Sequence, residues 1–175
     1  SRDPAKLQPW VAGAGAKARA GTFAEAAAYG ELVVLALKGG AVVAAAESCA
    51  AQLAGKTVID TSNPIADAPP VNGVLRFFTG PDDSLLERLQ AKVPSARFVK
   101  AFSCVGNALM VNPQLPGGKP TMFICGNDEG AKRQVVALLE QFGWDHEDMG
   151  QAEAARAIEP LCMLWCIPGF RRNDW

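Results

Sequence analysis

Three short stretches end apolar runs in polar or small residues, and they are where chemistry would sit. They are Ala36-Leu37-Lys38-Gly39, Asp60-Thr61-Ser62-Asn63-Pro64 and Lys100-Ala101-Phe102-Ser103-Cys104. None pairs a nucleophile with a base. The single histidine, His146, stands far along the chain in what reads as a polar turn, so a serine–histidine–aspartate arrangement has no base. Asp60 could work as an acid or base, or it could cap the neighbouring turn, as aspartate at a strand end often does. The five cysteines (Cys49, Cys104, Cys125, Cys162 and Cys166) are odd in number, lie in apolar runs and form no CxxC pair. They read as reduced and mostly buried. Cys162 and Cys166 stand four apart, but no further ligand is near enough in sequence to complete a metal site, so none is expected. Backbone and small residues without acid–base machinery suit chemistry carried by a cofactor. Hydride transfer between two bound cofactors is such chemistry, because the protein need only stack and orient them. No catalytic side chain is assigned.

The elements that must position these stretches alternate along the chain. Glu31–Leu37, Lys56–Pro64, Ala96–Ser103 and Pro120–Asp128 carry short continuous apolar runs, the pattern of strands buried on both faces. Lys17–Ala20 is a weaker strand candidate. Helical segments fill the gaps. Thr22/Glu25 and Ser84/Glu87 fit the capping box. Ala41–Leu53 is alanine-rich, and Val135, Leu138, Leu139 and Phe142 recur with helical spacing before a stop at Gly143. Ala155, Ile158, Cys162 and Trp165 mark one face of a last helical region, broken or kinked near Pro160 and ended by Pro168. Ile65–Asn72 is the most irregular stretch. Strand–helix alternation with buried strands predicts a parallel sheet covered on both faces, hence one doubly wound α/β domain over residues 1–175. Ligands of such sheets bind beyond the carboxyl ends of the strands, where the three stretches fall.

Charge excludes some partners. Lys and Arg number 17 against 18 Asp and Glu, a formal net charge of −1, with no basic stripe to follow a nucleic acid. No secretory leader is visible, and the longest apolar region is interrupted by Lys38, Gly39, Gly40 and Glu47, too often for a membrane span. The reading is a soluble, cytoplasmic protein that engages neither nucleic acid nor membrane.

The wording of the chain adds a resemblance. "SRDPAK", "LVVLALK", "VIDTSNP", "VKAFS", "MFICGNDEGAK" and "EPLCML", in this order and at these intervals, are similar to the NADP-dependent oxidoreductases typified by NADPH:deazaflavin (factor 420) reductase. That family's relatives include the reductase-like domain of the membrane metalloreductases. The resemblance covers essentially the whole chain. It implies a Rossmann-like domain binding NADP(H), with a deazaflavin or flavin as co-substrate, and a homodimer. It further implies that Ser1, Arg2 and Lys6 grip the 2′-phosphate of NADP. The chemistry agrees: Arg offers a planar fork, Lys a point charge and Ser a short donor, and Asp3-Pro4 is a helix start with a positive end. By the same resemblance Ala36, Leu37 and Lys38 line the adenosine-to-diphosphate path, Asn63 and Pro64 sit by the nicotinamide ribose, and Ala101, Phe102 and Ser103 lie near the nicotinamide. Pro160–Phe170 could be core, a dimer contact or a wall of the acceptor pocket.

One departure stands out. A strand followed by GxGxxG, which cradles a pyrophosphate, should precede "SRD". Gly13-Ala14-Gly15 follows a helix and reads as a helix stop. The expectation is therefore a domain lacking its first β-α-β unit with the glycine-rich loop, N-terminally incomplete, and trimmed after Trp175 as well. Function is expected to be hydride transfer between nicotinamide and a deazaflavin- or flavin-like acceptor. The alternatives are an imine or keto-acid reductase, which would want a proton donor among Lys100, Ser103 and Asp60, or an NADP-sensing protein without turnover.

Overall fold

In the computed structural model, which describes residues 1–173, three strands form the heart of the sheet. β1 (Leu32–Leu35), β2 (Thr57–Asp60) and β3 (Arg97–Lys100) pair in parallel in that order, with Leu32 opposite Thr57 and Thr57 opposite Arg97. β4 (Thr121–Ile124) and β5 (Asp145–Asp148) make a second parallel pair. The Lys100 N–H donates to the Cys125 carbonyl at 2.9 Å and ties the end of β3 to the residue after β4. The four strands expected from apolar runs are present, shortened to four residues each.

Two layers of helix cover this sheet. A 3-10 turn, Pro4–Leu7, leads into α1 (Gln8–Gly13), and Asp3 caps it by accepting from the Ala5 N–H. α2 (Phe23–Tyr29) starts on the predicted capping box, with Thr22 and Glu25 satisfying each other's backbone donors. The alanine-rich run is a helix broken at Cys49 into α3 (Gly39–Ser48) and α4 (Ala50–Leu53). α5 (Leu85–Lys92) and α6 (Glu129–Gln141) follow, and Gly143 ends the latter region with φ +81°. α7 (Ala155–Ile158) and α8 (Pro160–Arg172) close the described chain.

The central strand explains why two layers are needed. Every residue of β2 is buried, and its side chains alternate between two cores. Val58 joins Phe98, Leu35, Val42, Leu85 and Leu89 on one face. Ile59 joins Val99, Met122, Ile124, Val135 and Leu139 on the other. Each such aliphatic side chain contributes roughly 1.5–3 kcal/mol on burial, so removing either layer would leave β2 half exposed and the sheet unstable. This is the doubly wound α/β arrangement expected from the alternation.

Four expectations fail, each for a physical reason. Lys17–Ala20 forms no strand: Gly15 turns with φ +91°, Ala18 N–H bonds the Gly15 carbonyl, and the rest is loop. His146 lies in β5 rather than in a turn. Pro168 does not end the last helix, which runs on to Arg172 and stops where Asn173 adopts φ +55°. Trp165 is not on the buried face, which instead carries Ala155, Ile158, Cys162 and Cys166. The expectation attached to Trp175 lies outside the described residues. Among the described residues no helix is long and apolar enough to cross a membrane.

Candidate functional site

The parallel register brings the three stretches side by side. Where β1 stops, Ala36, Leu37 and Lys38 lead into α3; Ala36 and Lys38 are exposed and Leu37 is half-buried. Lys38 Nζ reaches Asp67 at 3.1 Å in an exposed pair worth little to stability. Where β2 stops, Thr61 donates both its N–H and its hydroxyl to the Leu35 carbonyl, at 3.2 and 3.1 Å, which locks the second strand end to the first. Asn63 Nδ2 then donates to the Ser103 carbonyl at 2.7 Å, which locks the second to the third. Gly39 is what lets α3 begin so close. A Cβ there would run into the Asn63 carbonyl and the Pro64 Cα, backbone atoms that cannot swing aside.

The third strand end is strained and incompletely satisfied. Phe102 sits at φ +62°, a left-handed conformation that a bulky residue adopts only when its surroundings impose it. Its N–H is spent on the Met122 sulfur at 3.2 Å. Next to it Ser103 is 3% exposed, and its Oγ has no partner; Asn63 Oδ1 is likewise buried and unpartnered. Native proteins rarely leave buried polar atoms unmatched, so two such atoms at adjacent strand ends single this place out. Pro64, Ala101 and Phe102 are buried and form the floor of this end of the sheet.

Beneath it lies a charge centre that the sequence did not reveal. Lys100 is fully buried, and its ammonium reaches Asp60 Oδ2 at 2.5 Å, Glu159 Oε1 at 2.8 Å and the Ser62 carbonyl at 2.9 Å. Asp60 Oδ1 accepts from both the N–H and the hydroxyl of Ser62. Glu159 accepts from the Leu85 and Leu86 N–H groups in the first turn of α5, at 3.0 and 3.1 Å. Burial pulls the Lys100 pKa down, but the Asp60 and Glu159 carboxylates outweigh it, and the ammonium titrates above its ordinary range. Asp60 is thus a capping and pairing group, which decides between the two roles its position left open. Neither it nor Lys100 has a face toward solvent.

Ser1, Arg2 and Lys6 stand apart from this cluster. The Ser1 amine donates to the Gly21 carbonyl at 2.9 Å, and the Ser1 hydroxyl and Asp3 backbone bond each other. Arg2 and Lys6 are exposed, and Lys6 lies 3.8 Å from Asp3. α2 leads through Gly30-Glu31 directly into β1, and Phe23 in its first turn lines the same groove as Ala36 and Leu37. The loop that failed to be a strand presents Lys17 and Arg19 beside Gly21 along a separate shallow groove, with Arg19 5.5 Å over the Tyr29 ring. The Phe23 groove, of ≈ 300 Å³, runs along the free edge of β1 between Phe23, Ala26, Cys49 and Leu53, and opens at Ala36 and Leu37. Its lining is mainly apolar.

The cysteines are free thiols; Cys104 is half-buried and the other four are buried. Burial pushes Cys125 and Cys162 up to about 12. Among the described residues no group of three or more His, Cys, Asp or Glu is placed to hold a metal ion.

Comparison with known proteins places this arrangement. Residues 1–64 match the model of the family described as NADP oxidoreductase, coenzyme F420-dependent. That match contains Ser1, Arg2, Lys6, Ala36–Lys38, Asn63 and Pro64. A crystal structure from Arthrobacter sp. FB24, assigned as an F420-dependent NADP reductase, superposes over 87% of this chain and 69% of its own, with TM-score 0.80 and 34% identity. The chain belongs to this family. The F420-dependent NADP reductase of Methanocaldococcus jannaschii is 30% identical over 141 residues, which are 80% of this chain and 62% of the archaeal one. Metalloreductase STEAP3 of Rattus norvegicus is also similar to this chain, 32% identical over 126 residues, 69% of this chain and 24% of the rat protein. The chain therefore spans less than two thirds of the length of either curated relative. The family's fold accounts for where the strand-end residues gather. The sequence reading named Lys100 only as a strand-end residue and candidate proton donor, and gave Glu159, Lys17 and Arg19 no role in the site. Only the polar ends of "VKAFS" and "EPLCML" hinted at the first two.

Proposed function

We propose that this protein is an NADP(H)-dependent oxidoreductase that passes a hydride between nicotinamide and a deazaflavin- or flavin-like acceptor. The observation that carries the reading is the state of the ionisable groups at the strand ends. Lys100 and Asp60 are sealed from solvent and committed to each other, to Ser62 and to Glu159. An imine or keto-acid acceptor needs a proton as well as a hydride. Of the three donors the sequence offers, only the Ser103 hydroxyl is uncommitted. A deazaflavin or flavin spreads the added charge over its own ring system, so it needs stacking and orientation more than an acid. The nicotinamide supplies the hydride when it is bound; the protein's part is to place it.

The residues present fit such a guest. The unpartnered Asn63 Oδ1 and Ser103 Oγ offer an acceptor and a hydroxyl where a polar ring substituent would lie. Arg2 and Lys6 offer charge for a 2′-phosphate; their neighbour Ser1 bonds Gly21, which lines a groove with Lys17, Arg19 and Glu25, and Ala36, Leu37 and Lys38 continue the chain from β1. Pro64, Ala101 and Phe102 supply an apolar floor. A homodimer is part of the reading, supported by the exposed Leu164 and half-exposed Trp165 on α8.

Stopped-flow oxidation of NADPH against deazaflavin, flavin, imine and keto-acid acceptors tests it. Turnover with the first two supports the reading. Turnover with imines alone points to the reductase alternative, and tight NADPH binding without any turnover points to a sensor. For the cofactor, Arg2→Ala should weaken NADPH by roughly 1–3 kcal/mol, the range for a lost charge-assisted contact, and leave NADH nearly unchanged. Equal losses for both would remove the 2′-phosphate assignment.

A further inference from the structure

We infer that Lys100 is a positioning residue for this site: anchored by Glu159, it holds the Asn63 and Ser103 segments in register although it touches neither guest. The inference rests on the function proposed above.

The ammonium has three protons, and each goes to a different part of the fold. One goes to Asp60 on β2, one to the Ser62 carbonyl and one to Glu159 before α8. The Ser62 carbonyl is the last acceptor before Asn63, and the Ser62 N–H and hydroxyl are both held by Asp60. Residue 62 is therefore gripped from both sides of its peptide. The Asp60 carbonyl accepts from the Ala101 N–H at 3.2 Å, two residues before Ser103. Asn63 then closes the loop onto the Ser103 carbonyl. The centre, the two segments and their two unpartnered atoms form one connected unit.

Stability does not account for this centre. One ammonium and two carboxylates taken out of water cost more than a well-packed apolar set of the same volume, even with two α5 N–H groups on Glu159. An apolar cluster would fill the space but would fix no direction. The ion centre instead sets where residue 62 points, and hence where Asn63 Oδ1 points. Hydride transfer tolerates little error of that kind: a 1 Å misplacement can cost about 100-fold in rate.

Lys100→Met alone would strand two buried carboxylates, so the test uses a neutral set of similar shape, Lys100→Met with Asp60→Asn and Glu159→Gln. Calorimetric titration compares NADP+ with 2′,5′-ADP, which carries the adenosine and 2′-phosphate but no nicotinamide. The expected result is a loss of roughly tenfold or more for NADP+ and less than about twofold for 2′,5′-ADP. Amide hydrogen exchange at residues 62, 63 and 102–104 should quicken by about tenfold while residues 57–59 keep their protection. Equal weakening of both nucleotides, or exchange unchanged at both segments, overturns the inference. A wild-type chain that binds neither nucleotide removes the NADP reading instead, and the exchange pattern then still decides the role of Lys100.

Discussion

Replacing Gly39 by alanine tests whether the start of α3 and the Asn63 turn are one rigid unit. The added methyl would meet the Asn63 carbonyl group and the Pro64 Cα, all backbone, and the facing segments would have to part by roughly 1 Å in an interior packed like a crystal. Overpacking of this kind costs about 1–3 kcal/mol. Alanine returns up to about 0.5–1 kcal/mol through its better helix propensity, so a net loss of about 1–2 kcal/mol is expected. Gly40 is the internal control. It lies one residue on in the same helix turn, and a Cβ there meets nothing within 4 Å. Gly40→Ala should be neutral or slightly stabilising. Urea unfolding of both variants gives the two values at a common slope, and NADP+ titration reports whether the displaced turn carries Asn63 with it. Gly39→Ala should weaken NADP+ and Gly40→Ala should not. If the two variants agree within about 0.5 kcal/mol, the contact between α3 and the Asn63 turn does not exist as described.

Acid should act through the pair joining α5 to α7. Arg156 donates to both Glu87 oxygens, at 2.9 and 2.6 Å, and with Ser84 it holds the Glu87 carboxyl below its ordinary value of 4.5. A depressed carboxylate stabilises the fold above its unfolded pKa and loses that contribution as pH falls through the folded one. The urea midpoint of Glu87→Gln should therefore lie below wild type at pH 7, and the gap should close as pH drops below 4.5. A gap that stays constant to pH 3 contradicts the pairing. Thiol chemistry gives a further check. With Cys125 and Cys162 pushed up to about 12, roughly one thiol in ten thousand is ionised at pH 8. Iodoacetamide followed by mass mapping should label the half-buried Cys104 first and reach Cys125 only on unfolding; early labelling of Cys125 would show that its pocket opens.

How much of this was legible in the sequence depends on what each residue is paired with. The four apolar runs announced β1 to β4 because a strand buried on both faces must be apolar throughout. β5 reads "DHED" and is an edge strand held by its backbone to β4, so it carries no apolar signature. Thr22 and Glu25 formed the box their spacing promised, but Glu87 went to Arg156, 69 residues away, and left Ser84 with half of one. Pro168 was read as a stop because it removes a donor. Its lost partner would be the carbonyl of Leu164, a residue 67% exposed, where water can take the donor's place. "VNGV" did hold a signal that went unread. Asn72 and Gly73 turn with φ +52° and +84°, and Val71 and Val74 bond each other across them, the tight hairpin that Asn-Gly favours. In the candidate site the strand-end positions followed from topology alone. Lys100 could not be resolved, because its partners lie at positions 60, 62 and 159 and no local spacing connects them.

The bonds from Leu85 and Leu86 to Glu159 also order events in time. The first turn of α5 has Ser84 as a local cap, but two of its N–H groups wait for a carboxylate 74 and 73 residues further on. Closing a loop of that length costs roughly 4 kcal/mol of chain entropy before any contact repays it. α5 therefore meets its partner late, after β1, β2 and β3 have paired over much shorter separations. Until Glu159 arrives, Lys100 has only Asp60 and the Ser62 carbonyl as partners. Loop-closure entropy thus predicts that the Glu159 contact, and with it the full set of Lys100 partners, forms late in folding.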